Sequence, residues 1–96
     1  MRIIAVQAAR WSVAANQDNN PFIANLHANY GVGYVMSLRS IGTDKEIKIA
    51  TGIDIQKLEK SVTNAQRIAA QKLFIACPQI IPMEDPYLVQ LSQSLI

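Results

Sequence analysis

The sequence predicts an all-α fold, a small helical bundle of four to five helices in a single domain covering residues 1–96. Three observations carry that prediction. Apolar and small residues recur at spacings of three and four over long stretches, which puts them on one face of a helix. Helix-start signals stand at Asn20-Pro21, at Thr43 with Glu46, at Asp54 and at Asp85-Pro86. Glycine and proline otherwise fall between the periodic stretches, Gly31 and Gly33 excepted.

The first helix is predicted over residues 2–16, which hold neither glycine nor proline and are apolar nearly all round apart from Gln7, Arg10 and Ser12. Such a helix is normally buried on most sides. Ala5, Ala8, Ser12 and Ala15 form a stripe of small side chains along which another backbone can approach closely. After the polar linker Gln17 to Asn20, Asn20 caps free N–H groups and Pro21 has none to satisfy, so a second helix starts there and runs to about Arg39. It carries a large stripe (Ile23, Leu26, Tyr30, Tyr34, Leu38) and a small one (Ala24, Ala28, Gly31, Val35). Each helical glycine costs about 1 kcal/mol relative to Ala. Packing of the two small stripes offsets that cost and makes residues 1–39 a helical hairpin; the alternative is a break at Gly31-Val32-Gly33.

Ser40-Ile41-Gly42 reads as a turn. Thr43 and Glu46 make a capping box for a short third helix, and Gly52 suits its left-handed end. Asp54 caps a long fourth helix running to about Ala76, along which Ile55, Leu58, Val62, Ala65 and Ala69 form a two-heptad seam. Cys77-Pro78 closes it, because the residue before proline resists helical angles. Residues 77–82 are a proline-bounded connector, and Asp85-Pro86 opens a last short helix with Tyr87, Leu88, Leu91 and Leu95.

Half of the residues are apolar and only 17% are charged. A chain of this length has little interior to hide so much apolar surface, so part of it is expected to meet another chain. The expected contact is a homo-oligomer, a dimer favoured. It uses Trp11 on the first helix, Ile55, Leu58 and Val62 on the fourth, and Leu88, Leu91 and Leu95 on the tail. A net charge of +2 is too mild to require a polyanionic partner. One cysteine, Cys77, and one histidine, His27, leave no internal disulfide and no metal site, and no cofactor is expected. The N-terminal stretch MRIIAVQAARWSVAA mimics a secretion signal, but Gln7 and Arg10 break the apolar core that such a signal needs. No stretch approaches the ~20 apolar residues that span a bilayer. The expected location is the cytoplasm.

The segment TDKEIKIATGID, followed by Leu58 six positions after Gly52, resembles the helix-turn-helix motif of DNA-binding proteins over Thr43 to about Val62. Ile47, Gly52, Ile53 and Leu58 fit its apolar and glycine positions. Lys48 departs from it, standing where the two helices cross and a small residue is usual. The resemblance implies that Gln56, Lys57 and Lys60 touch DNA, with Lys45 and Lys48 on the phosphate backbone. Asp54 and Glu59 on the same turns oppose that, since carboxylates facing phosphates weaken binding.

No catalytic set is predicted. His27, Tyr30 and Tyr34 share a helix face, where tyrosines and a histidine ordinarily serve packing and hydrogen bonding. Cys77 and His27, the only thiol and imidazole, lie fifty residues apart with no oxyanion donors in sight. The carboxylates gather at helix starts, where capping explains them. The expected function is non-catalytic association, as a structural or assembly component or a small adaptor; the alternative is nucleic-acid binding through the helix after Gly52.

Overall fold

The computed structural model describes residues 1–79 and 85–93, which form five helices: α1 (Arg2–Gln17), α2 (Pro21–Ile41), α3 (Asp44–Thr51), α4 (Ile55–Ala76) and α5 (Pro86–Ser92). The fold is all-α. α1 and α2 form the hairpin, and α4 lies across both, antiparallel to α2: Ile55 and Val62 join Val35 and Leu38 at one end, while Ala69 joins Ala24 and Ala28 at the other. α3 closes the first end by burying Ile47 in the same cluster as Leu38 and Ile55.

The small stripes meet as their spacing predicts. Ala5, Ala8, Ser12 and Ala15 are the buried residues of α1, and Ala24, Ala28, Gly31 and Val35 are buried on α2 with Leu38. Contact is closest at Gly31, where a Cβ would stand 2.5 Å from Ser12 Oγ and 3.1 Å from the Ala8 carbonyl oxygen. α2 therefore runs unbroken through Gly31-Val32-Gly33. It also runs past Arg39 to Ile41, because nothing in Ser40 or Ile41 forbids helical angles and only Gly42, extended at φ −166°, leaves the helix. The turn expected at residues 40–42 is correspondingly shorter.

One expectation about an apolar stripe is corrected, and the large stripe of α2 takes the outward side. Ile55 and Val62, expected to face a second chain, are each 1% exposed within this one, and Leu58 is half-buried against the same cluster. The seam of α4 is used up by α1 and α2. Of the large stripe on α2, only Leu38 is buried; Ile23, Leu26, Tyr30 and Tyr34 stay exposed, because neighbouring helices approach along the small side. Leu95 and residues 80–82 of the connector lie outside the described residues.

The caps follow the sequence. Asn20 Oδ1 accepts from the N–H groups of Phe22 and Ile23, Asp54 Oδ1 from Gln56 and Lys57, and Asp85 Oδ1 from Tyr87 and Leu88. Gly52 ends α3 at φ 74°, the left-handed region that side chains avoid. At the other end of α3 the Thr43 N–H donates to Glu46 Oε1 at 3.0 Å, and the Glu46 N–H donates to Thr43 Oγ1 at 3.1 Å. The Thr43 backbone N–H, and secondarily its hydroxyl, hold the Glu46 carboxyl below the ordinary glutamate value. A depressed carboxyl stabilises the fold above its unfolded pKa and loses that contribution as pH falls through the folded value. The protection of the Thr43 amide against hydrogen exchange, taken relative to its intrinsic rate at each pH, should therefore fall in acid below the ordinary glutamate range. Glu46→Gln, which keeps an acceptor, should flatten that dependence.

The described fold is flat and extended, 45 × 38 × 17 Å, with a radius of gyration of 15.2 Å where a compact chain of this length has about 12.5 Å.

Candidate functional site

Between Pro21 and Leu38 there is no Asp, Glu, Lys or Arg, so the face that α2 turns away from the bundle holds none of these charged residues, with His27 at its edge. On that face two rows run side by side at a spacing of four. Phe22, Leu26, Tyr30 and Tyr34 form a bulky row, each 37% to 53% exposed. Asn29, Gly33 and Ser37 form a low row beside it. Gly33 has no atom within 4 Å of where a Cβ would stand, so this glycine does not serve packing within the chain. Together with Trp11, these residues line an open, mostly apolar groove of about 410 Å³: Asn29, Tyr30, Gly33, Tyr34 and Ser37 from α2.

Trp11 is fixed at the edge of that groove. Its ring meets the Tyr30 ring edge-on, centroids 5.1 Å apart at 79°, and lies 4.8 Å from the His27 ring. His27 is held in turn by Asp18, its Nδ1 2.6 Å from Asp18 Oδ2. Asp18, in the linker after α1, thus orients the histidine, the histidine supports the tryptophan, and the tryptophan braces Tyr30. Such pairs hold aromatic side chains in one pose before anything docks against them. His27, Tyr30 and Tyr34 do share one region, as their spacing predicts, but around Trp11. Cys77 ends α4, half-buried.

The second candidate is the corner between α3 and α4. Ile47 is buried at the crossing, Ile53 and Leu58 are half-buried, and Gly52 turns the chain. Lys48, the residue at odds with the helix-turn-helix pattern, keeps its stem off the crossing and donates from Nζ to the Gly52 carbonyl at 3.1 Å. It fastens the turn. Lys45, Lys57 and Lys60 are exposed. Gln56 is engaged, donating from Nε2 to Asp44 Oδ2 at 3.0 Å. Arg39 Nη1 stands 3.3 Å from Asp44 and 3.2 Å from Glu59, between the two carboxylates and aligned with neither as a hydrogen bond. Counting Arg39, the corner holds five cations against the four carboxylates of Asp44, Glu46, Asp54 and Glu59.

A third apolar area lies at the far end. Phe74 and Ile75 of α4 are 63% and 81% exposed, and with Arg67, Ala70 and Gln71 they border a hollow of about 510 Å³. Tyr87, Leu88 and Leu91 of α5 are exposed as well. Of the residues expected at a contact, Leu88 and Leu91 thus stand at the surface, Trp11 borders the groove, and Ile55 and Val62 are in the core. The outer face of α2, whose large residues the sequence marks as a stripe, is not among the expected contact residues. Its signal was present in the absence of charge over eighteen residues and in a glycine, Gly33, outside the small stripe.

Among the described residues no group of His, Cys, Asp and Glu is placed to hold a metal ion, and no helix is long and apolar enough to cross a membrane. Compared with known protein families, curated proteins and solved structures, the chain matches none.

Proposed function

We propose that this protein works by non-catalytic association with copies of itself, as a structural or assembly component or a small adaptor. One observation carries the reading: the folded chain exposes 7035 Å², where a compact monomer of its mass exposes about 5500 Å². Exposed apolar side chains stand on the outer face of α2 and at Phe74, Ile75, Tyr87, Leu88 and Leu91. A standard specific interface covers about 800 Å² on each partner, so the excess is enough for one. Association also makes stability depend on concentration. The urea midpoint should rise over a hundredfold increase in protein concentration, and a midpoint that stays fixed would count against the reading.

The second reading is nucleic-acid binding through the start of α4. It is supported by the left-handed turn at Gly52 between two capped helices, with Ile47 beneath the crossing and Lys57 and Lys60 at the surface. The pairing of Gln56 with Asp44 and of Arg39 with Asp44 and Glu59 weighs against it, because these groups must exchange partners before meeting phosphate. A salt-dependent shift of duplex DNA that is lost in Lys57→Glu with Lys60→Glu would favour it.

A further inference from the structure

We propose that two copies associate by crossing α2 on α2, with Gly33 of each helix at the crossing point; this rests on the self-association reading above and names its surface. The inference starts from an oddity. Gly31 and Gly33 both weaken the helix, yet only Gly31 is explained inside the chain, by Ser12 and the Ala8 carbonyl. Gly33 stands over open space. A glycine in a helix interior lets a second backbone come close, and the backbone that Gly33 admits is not in this chain.

The shape of the face selects the occupant. Rows of residues four apart are the ridges and grooves by which helices interlock, and the commonest arrangement sets such rows from both helices together at an interaxial angle of about −50°. α2 carries one bulky row, Phe22, Leu26, Tyr30 and Tyr34, directly beside one low row, Asn29, Gly33 and Ser37. The bulky row of one copy fits the low row of the other, and its own low row takes the other copy's bulky row in return. That reciprocity is what a two-fold contact between identical surfaces requires. The face carries no like charges to repel its copy, whereas a charged partner would find nothing on it to pair with. Trp11, held by His27 and Tyr30, extends the contact onto α1, and Asn29 and Ser37 place polar groups at the crossing. Asn29 is already partnered across the bundle, its Oδ1 accepting from Gln66 Nε2 at 2.9 Å, which fixes the wall of the groove.

Two substitutions at Gly33 test this in the 96-residue chain. In a Cys77→Ser background, Gly33→Cys should form a disulfide-linked dimer under mild oxidation, since a crossing there brings the two α-carbons within the ~7 Å that a disulfide tolerates. Lys45→Cys in the same background should not. Gly33→Leu should keep the helical circular dichroism, because the position is open, and weaken self-association at least a hundredfold by filling the low row. If the wild-type chain is dimeric but Gly33→Cys fails to cross-link and Gly33→Leu still dimerises, the α2 crossing is wrong while self-association stands. If the wild-type chain is monomeric throughout, both fall.

Discussion

Leu38→Ala is expected to lower folding stability by about 3 kcal/mol, read as a reduced urea midpoint at unchanged slope. Leu38 is fully buried and is among the largest side chains in the core, in one cluster with Ala5, Ala8, Val35, Ile47, Ile55 and Val62. Every helix of the bundle from α1 to α4 contributes to that cluster, so a cavity there loosens four elements together. Its neighbours Ala5 and Ala8 are too short to move into the space, which puts the cost in the middle of the usual range rather than at its lower end. A small domain has ~5–15 kcal/mol in all, so the variant should be visibly marginal. A loss under 1 kcal/mol would mean that this end of the bundle is looser than the packing implies.

Gly31→Ala should also destabilise, by up to about 2 kcal/mol, although alanine is the better helix former. The added methyl would stand 2.5 Å from Ser12 Oγ and 3.1 Å from the Ala8 carbonyl oxygen. Crowding of this kind typically costs 1–3 kcal/mol, and the gain in helix propensity returns about 1 kcal/mol. Ser12 cannot simply turn aside, because its hydroxyl donates to the Ala8 carbonyl at 2.8 Å in the same buried space. Ser12→Ala removes the nearer obstacle, so the double variant should recover more than half of the loss. Two residues along, Gly33→Ala meets nothing and should stabilise the separated chain by about 1 kcal/mol. Opposite signs at two glycines of one helix, measured at concentrations where the chain is monomeric, would show that Gly31 serves the hairpin and Gly33 does not.

The helices were legible because their ends carry local chemistry. Asn20 with Pro21, Thr43 with Glu46, Gly52 and Asp54 each act on backbone groups within three or four residues, and the structure shows those bonds where the spacing predicts them. The hairpin was legible for a similar reason: two stripes of small residues can each be read alone, and only their meeting is tertiary. Which apolar stripe faces inward was less legible. On α2 the bulky residues and the small ones both repeat at helical spacing, and periodicity cannot say which set a neighbour prefers. Close approach through alanine and glycine turned Tyr30, Tyr34, Leu26 and Ile23 outward. The same approach brought α4 in far enough to bury Ile55 and Val62, so the heptad seam that reads as an interhelical contact is one, within a single chain.

Charge patterning at the corner after Gly52 was likewise only half visible. The sequence shows Lys48 on the crossing and acids on the following turns, but the capture of the Gly52 carbonyl by Lys48 and of Asp44 by Gln56 depends on where the two helices lie. These contacts give the corner a structural occupation of its own. They leave Lys45, Lys57 and Lys60 as the cations at its surface.

The claim on which the account depends is that the uncharged face of α2 is covered by a second chain. Sedimentation equilibrium at micromolar concentration, run on the wild-type chain and on Gly33→Leu side by side, tests this. The account predicts a mass of twice the 10.6 kDa chain, falling to the single chain on dilution or with Gly33→Leu. A mass of one chain across the whole concentration range would contradict it.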